Sequence, residues 1–424
     1  MKTETEFKYE EALKNLKRKL EELYEEYSNS KEDNPIEHIK YRLKSKDSTK
    51  TKLYNKALEY NEENIEKNVS DVVGARIVCS FLSDVKKVIT SLKNHPELQV
   101  ISCKDYITNP KLNGYSSYHM IVRVPVIINE QITYVKAEIQ IRTIAMDMWA
   151  SLDHKIRYKK GIQLSEQTEQ VIINSSKECR RLDETLNEKY LTEKNRVKTI
   201  QSPKENINWI NRAEYMKLMN KYSYALGIVL NKVYYLFNMY NHEEECMKEV
   251  NPIEHIKYRL KNKDSIEAKL NSKSLEYTED NIEKNVNDIA GIRIVCSFES
   301  DLVRIIDDLK CGLGLQIVKE KNYVKNPKAS GYAGHHLIVS VPVYDLNGLI
   351  ENIKVEIQVR TIAMDMWASL EHKLCYRKYS DKETKKELLR LAEERRETDK
   401  KMEKIIDESR QLITTKRKTK RIHS

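Results

Sequence analysis

The chain repeats itself once, and that repetition limits what it can fold into. The segment NPIEHIKYRLKSKDS at 34–48 returns as NPIEHIKYRLKNKDS at 251–265, 217 positions later and with one change. The same offset aligns DVVGARIVCSF at 71 with DIAGIRIVCSF at 288, and NGYSSYH at 113 with SGYAGHH at 330. After one inserted residue, TIAMDMWASL at 143 recurs unchanged at 361. Solenoid units run to roughly 20–45 residues, so this period is a tandem duplication of a whole domain. The polar stretch at Gln201, Ser202 and Pro203 marks the expected boundary, giving domains at 1–202 and 203–424.

Each copy reads in the same order. An amphipathic helix opens it, with Leu13, Leu16, Leu20 and Leu23 at helical spacing in copy one and Leu230, Val233, Phe237 and Tyr240 in copy two. A basic segment follows, then a β-branched strand (Ala75 to Phe81; Ile292 to Phe298), a helix, a loop with Pro110 and Gly114, two further strands and long charged helices. Strands interleaved with helices predict an α/β (α+β) domain around a central mixed sheet.

Composition narrows the function classes. The longest apolar stretch, Tyr222 to Tyr240, is interrupted by Asn231 and Lys232 and reads as a buried helix rather than a membrane span. The start, MKTETEF, is acidic where a signal peptide is basic and apolar, so a cytoplasmic protein is expected. Seven cysteines without a CxxC pair form neither a disulfide framework nor a zinc ribbon, and are read as reduced and mostly buried. The 75 basic and 65 acidic residues leave a net +10, which suits phosphate-bearing partners. Only 10 glycines occur, none in a GxxxxGK[ST] or GxGxxG motif, so lysines and arginines must grip any nucleotide phosphate in place of a glycine cradle.

Chemistry concentrates in four segments. In AEIQIRT, period-two alternation puts Glu138, Gln140 and Arg142 on one strand face and Ala137, Ile139 and Ile141 on the other. A second acid, Asp71, opens the strand that carries Arg76. Two carboxylates at the ends of neighbouring strands suit a hard ion such as Mg2+; taken bare, the residues better suit a strand-face ion pair of Glu138 with Arg142 and a turn capped by Asp71. IKYRLKSKDSTKTKL carries Lys40, Arg42, Lys44, Lys46, Lys50 and Lys52 around Ser48, either as a solvated helix face or as an anion site. KDYITNPKLNGYSSYH combines Lys104, Lys111, Tyr115 and His119, a loop able to stack an aromatic on a base or to fold it inward. TIAMDMWASLDHK sets Met146, Trp149 and Leu152 at helical spacing as core, with His154 as a core hydrogen-bonding group.

This ordered set of motifs, present twice, resembles the synthetase domain of the RelA/SpoT family in its small alarmone synthetase form. The resemblance implies a mixed sheet flanked by helices, similar to nucleotidyltransferases, and transfer of pyrophosphate from ATP to the 3′-hydroxyl of GDP or GTP. It implies Arg42 and Arg76 sandwiching adenine, Lys44, Ser48, Lys52 and Lys104 holding ATP phosphates, and Asp71 and Glu138 binding Mg2+, with Glu138 also the general base. Tyr115 would stack on guanine while Asn113, Ser117, His119 and Gln140 place the acceptor.

Copy two retains Arg259, Lys261, Ser265, Lys269, Asp288, Arg293, Tyr332, His336 and Glu356 at the matching positions, but Asp105 becomes Asn322, Ser117 becomes Gly334 and Tyr118 becomes His335. ATP and Mg2+ binding is therefore expected in both copies, with copy one the better catalyst. No HD-type hydrolase segment is seen, so synthesis without degradation is expected. By resemblance to tetrameric small members, a tandem chain would dimerise through the apolar helix at 213–240. Two other readings stay open: a toxin-like relative that pyrophosphorylates tRNA 3′ ends, for which the basic tail KRKTKR at 416–421 would hold RNA, and a non-catalytic nucleotide or RNA sensor.

Overall fold

The computed structural model describes residues 4–30, 32–158, 165–197, 212–247, 251–344, 349–375 and 386–404, the last without 387, 398 and 402. The chain divides into two compact units, residues 1–194 and 195–424. Gln201, Ser202, Pro203 and the basic tail at 416–421 lie outside the described residues.

In the first unit, α1 (Glu4–Asn29) leads into β1 (Ile36–Leu43), α2 (Lys46–Tyr54), α3 (Glu62–Asn68), β2 (Val73–Cys79) and α4 (Leu82–Lys93). Then come β3 (Gln99–Asp105), β4 (Tyr118–Ile128), β5 (Gln131–Thr143), α5 (Ile144–Tyr158) and α6 (Glu166–Val197). The sheet order is β1-β2-β5-β4-β3. β2 and β5 are parallel while the other neighbours are antiparallel, which makes the sheet mixed as expected. Alternation sends Ala75, Ile77, Ala137, Ile139, Ile141, Met120 and Val122 to one face. There α1 adds Leu16, Leu20 and Leu23, and α4 adds Val85, Val88 and Leu92. The opposite face is left polar, and α5 packs beside β2 and β5.

The second unit runs α7 (Arg212–Met247), β6 (Ile253–Leu260), α8 (Lys263–Asn271), α9 (Glu279–Asn285), β7 (Ala290–Cys296), α10 (Glu299–Cys311), β8 (Gln316–Asn322), β9 (His335–Tyr344), β10 (Ile350–Thr361) and α11 (Ile362–Cys375). Its sheet order, β6-β7-β10-β9-β8, repeats the first.

Several expectations need correction. The basic run is not one helix: Ile36–Leu43 pairs antiparallel with β2, because cross-strand partners in β2 override its charged composition, and only Lys46–Tyr54 is helical. Lys104 and Asp105 end a strand instead of lying in a loop. The stretch Tyr222–Tyr240 is buried on one face only, through Tyr222, Ala225, Val229, Val233 and Leu236, while Tyr224, Tyr234 and Tyr235 are exposed. His154 is exposed, because its position on α5 turns away from the stripe that buries Met146, Trp149 and Leu152. Among the described cysteines, Cys79, Cys179 and Cys296 are buried, but Cys103 and Cys311 are exposed. No helix among the described residues is long and apolar enough to cross a membrane.

Helix α6 fixes the parts of the first unit that matter for the polar face. Gly114, at φ +93°, is where the 106–117 loop meets α6: a Cβ there would stand 2.1 Å from Ser176 Oγ, so only glycine allows the approach. The Trp149 indole donates to the Ile172 carbonyl at 2.9 Å, and Asn187 Oδ1 accepts from the Ser83 amide at the start of α4, 2.8 Å away. Thr143, which caps α5 by accepting from the Met146 amide, donates its hydroxyl to Asp183 at 2.5 Å. Burial pushes the Asp183 carboxyl up to about 7, and Asp399, beside Thr361 in the second unit, is likewise pushed up to about 7 by burial.

A carboxyl whose folded pKa is raised favours folding when protonated. Its stabilising effect is complete below the unfolded value near 4 and is lost as pH rises toward 7. Asp183→Asn is therefore expected to stabilise the protein at pH 8 by about 1 kcal/mol or more and to flatten the decline in stability between pH 4 and 7. Thermal unfolding of both forms across that range checks this; parallel curves would contradict it.

Candidate active site

The polar face of the sheet gathers residues from all five strands of the first unit. Register places Gly74 beside Glu138 and Arg76 beside Gln140 across the β2–β5 pair, and His119 beside Gln140 across β4–β5. Arg42 stands opposite Gly74, Lys40 opposite Arg76, and Lys104 opposite His119. Because Gly74 has no side chain, Arg42 lies across the strand, its Cγ 3.4 Å from where a Cβ would be. Arg42 and Lys104 are exposed, Arg76 half-buried.

A hydrogen-bonded chain runs along this face. Glu138 meets His119 Nδ1 at 3.0 Å and accepts from the Gln140 amide at 2.8 Å; His119 Nε2 lies 2.8 Å from the Tyr115 hydroxyl, which accepts from Arg142 Nη2 at 2.5 Å. Burial pushes the Glu138 carboxyl up, but the hydrogen bonds from His119 and Gln140 outweigh it and hold the group below the ordinary glutamate value. An ionised Glu138 only accepts, so His119 Nδ1 donates to it; Arg142 only donates, so the Tyr115 oxygen accepts from it. In the second unit Glu356, His336, Tyr332 and Arg360 form the same chain at 2.9, 2.5 and 2.8 Å, and Gln358 donates to Glu356 at 2.7 Å.

Beside this chain lies a second acid. Asp71 accepts from Lys44 and from Lys52, each at 2.8 Å. Burial raises its carboxyl, and the two ammonium groups more than reverse that, so it too is held low. Asp288 repeats the arrangement with Lys261 and Lys269 at 2.7 Å and is held down at about 2. The negative charge of Asp71 is felt at Glu138, so the two acids share one electrostatic neighbourhood. Ser48 sits in the first turn of α2, its amide donating to the N-cap Ser45 at 3.2 Å; Asn262 caps Ser265 in the same way at 2.9 Å.

The 106–117 loop brings aromatic groups to the edge of the face. Lys111 lies 4.9 Å from the ring centres of both Tyr106 and Tyr115. Asn113 Oδ1 accepts from the Tyr115 amide at 3.2 Å, tightening the turn. Ser117 departs from its expected place among acceptor contacts: it is fully buried, its hydroxyl lying 3.3 Å from Arg142 Nε, so it stands behind the site and steadies that arginine.

The three substitutions in copy two therefore differ in consequence. Asn322 keeps the turn of Asp105, its Oδ1 accepting from the Val324 and Lys325 amides at 3.0 Å, as Asp105 does from Ile107 and Thr108. His335 and Tyr118 are buried next to the polar strand positions instead of on them, with His335 2.8 Å from Glu320. Gly334 alone touches the site, because it removes the hydroxyl that meets the arginine; Arg360 Nε is buried without a hydrogen-bond partner.

Two residues essential to this geometry were read otherwise in the sequence. Asp147, in the stretch assigned to core, is 3% exposed and accepts from Arg76 Nη1 at 2.9 Å and Arg142 Nη1 at 3.2 Å. Arg142, read from the bare residues as a strand-face ion-pair partner of Glu138, instead pairs with Asp147 and holds Tyr115, while Glu138 meets His119. The available signal was an acid in the first turn of an apolar helix, directly after a strand whose last two residues are arginine and threonine, recurring as Arg360 and Asp365.

Both units match the model of a region found in RelA/SpoT proteins, over residues 41–163 and 258–381. The chain belongs to this family. It is 43% identical over 189 residues to the GTP pyrophosphokinase YwaC of Bacillus subtilis, a match covering 45% of this chain and 88% of that one. It is 33% identical over 180 residues to the GTP pyrophosphokinase YjbM of the same organism, covering 42% and 84%. Among solved structures, small alarmone synthetase 2 of Bacillus subtilis aligns at 42% identity with a TM-score of 0.39, over 42% of this chain and 92% of that chain.

The donor–acceptor order along the chain is directly measurable. Nitrogen-15 chemical shifts are expected to show a proton on His119 Nδ1, the atom that faces the ionised Glu138; an Nδ1 without a proton would contradict the assigned order. Tyr115→Phe, which removes the hydroxyl between Arg142 and His119, is expected to cost about 1 kcal/mol of stability in denaturant unfolding.

Proposed function

We propose that the protein is a (p)ppGpp synthetase that transfers the pyrophosphate of ATP to the 3′-hydroxyl of GDP or GTP, with the first unit the better catalyst. The observation that carries this reading is the pairing of two ionised carboxylates, Asp71 and Glu138, with a lysine pair and an aromatic loop on one open sheet face. The similarity to two GTP pyrophosphokinases supports the reaction class.

The residues present fit a magnesium ion. Asp71 and Glu138 are hard oxygen donors held ionised. That matches an ion that takes one or two carboxylates and completes its shell with water and nucleotide phosphates. When bound, it neutralises charge on the transferred group.

The chain's own groups do the rest. Arg42, exposed, and Arg76, half-buried, offer two guanidinium planes for adenine. Lys44 and Lys52 exchange Asp71 for phosphate oxygens, with Lys104 and Ser48 beside them. Glu138, ionised at neutral pH and fixed by His119 and Gln140, takes the proton from the acceptor hydroxyl. Tyr115 offers its ring to guanine, with Asn113 shaping its turn. In such transfers positioning and charge neutralisation supply most of the catalysis. The weaker second unit follows from Gly334: without the serine hydroxyl, the arginine that holds Tyr332 is less firmly set.

The test is incubation of the purified chain with γ-labelled ATP, Mg2+ and GDP, GTP or deacylated tRNA. Label is expected in ppGpp and pppGpp; label in tRNA alone, or no transfer, overturns the proposal. Glu138→Gln is expected to lower the rate by about 100-fold or more in the first unit's share of turnover. Glu356→Gln should cost less of the total, and equal losses would refute the ranking of the units.

A further inference from the structure

Asp147 lies in the first turn of α5, behind the polar face, where the sequence predicts apolar core. It is an anion with almost no access to water, held ionised well below the carboxylate range: burial pushes the other way, but Lys40, Arg76 and Arg142 prevail. One of its oxygens, Oδ1, is shared between two arginines, Arg76 Nη1 at 2.9 Å and Arg142 Nη1 at 3.2 Å; the other lies 3.5 Å from Lys40 Nζ. The second unit repeats this at Asp365, with Arg293 at 2.8 Å, Arg360 at 3.2 Å and Lys257 at 3.3 Å.

The two arginines serve different halves of the site. Arg76 stands with Arg42 on the side assigned to the donor nucleotide. Arg142 reaches the other way, donating from Nη2 to the Tyr115 hydroxyl at 2.5 Å and to Gln140 Oε1 at 2.8 Å, the side assigned to the acceptor. A single oxygen atom is thus the hydrogen-bonded link between them. Arg142 is buried, and a buried guanidinium leaning on one carboxylate has little freedom to adjust independently of its neighbour.

We propose that Asp147 is the positioning residue that ties the two nucleotide subsites together, so that occupation of the ATP side tightens the hold on the guanine nucleotide and the reverse. The inference rests on the assignment of Arg76 to ATP and Tyr115 to the acceptor. A base seated against Arg76 fixes its guanidinium; that sets the Asp147 carboxylate, which sets Arg142 and the tyrosine it holds. Such a linkage is reciprocal, since each ligand alters the other's affinity by the same factor.

The test uses the full chain carrying Glu356→Gln, so that turnover reports the first unit, and measures the KM for GDP at low and at saturating ATP. Saturating ATP is expected to lower that KM by about fivefold or more in the parent. Asp147→Asn is expected to abolish most of this dependence, leaving the GDP KM nearly independent of ATP. Retention of the full dependence in a variant whose melting curve is cooperative overturns the inference, as does a parent whose GDP KM ignores ATP. Should Asp147→Asn fail to fold, Arg142→Lys decides. It keeps a counter-charge for Asp147 and cannot reach Asp147, Tyr115 and Gln140 together, so it too must lose the dependence, and unchanged behaviour overturns the proposal. A parent that transfers no label to GDP refutes the proposed function instead, which keeps the two failures apart.

Discussion

A guanidinium with no access to water survives in a protein only when an anion accompanies it, and the polar face of each unit is organised around that requirement. Leaving one buried partner of an ion pair uncompensated costs about 3–5 kcal/mol, so Arg142 and Asp147 stand or fall together. They are close in the chain but belong to different elements: the arginine is the last residue but one of β5 and the aspartate lies in the first turn of α5, where the helix dipole also favours negative charge. The turn between strand and helix is held by Thr143, and Thr143 in turn by Asp183 on α6. From this point outward the geometry is determined: Arg142 holds Tyr115, Tyr115 holds His119, and His119 holds Glu138.

Much of this was legible in the residues because it obeys short-range periodicity. Alternation in AEIQIRT separates Glu138, Gln140 and Arg142 from a fully buried Ala137, Ile139 and Ile141, and that separation is found. The internal repeat fixed the number of sheets before any element was assigned. What escaped depends on partners distant in sequence. Strand β1 is rich in lysine and arginine and has no alternation clean enough to announce it; it is a strand because β2 supplies its hydrogen bonds. Asp147 escaped because a charged residue in an apolar stripe says nothing about which cation reaches it, and Arg76 comes from 71 residues away. Ser117 and His154 were misplaced in opposite directions, one inward and one outward, since a single loop or helix position carries no burial signal of its own.

The duplication makes the molecule its own comparison. Two copies that differ at many surface positions reproduce the acid–histidine–tyrosine–arginine chain and the lysine–aspartate–lysine bridge to within a few tenths of an ångström. Geometry also ranks the differences between them in a way that residue identity does not. Asp105 and Asn322 look chemically unlike, yet each accepts from two successive amides, so the turn is indifferent to the exchange. Serine to glycine looks milder and is not, because one hydroxyl facing a buried arginine has no substitute.

The proposed phosphate site, built without glycine loops, faces a problem of entropy. Backbone amides in a glycine-rich turn are held by the chain itself, whereas each lysine side chain carries about 1.5–2 kcal/mol of rotamer freedom that is lost on gripping a ligand. Two lysines aimed at one spot also repel each other. Asp71 answers both difficulties at once, since one carboxylate draws Lys44 and Lys52 to its two oxygens and offsets their mutual repulsion. Much of the ordering is then already present in the folded chain, and a phosphate that replaces the carboxylate as the lysines' partner meets cations already gathered. The charge of the same carboxylate is felt at Glu138, and in the proposed reaction the two acids become available to a divalent ion once the lysines take phosphate as their partner. Scarcity of glycine and a carboxylate bridging two lysines are therefore one design, visible first as a composition and then as a geometry.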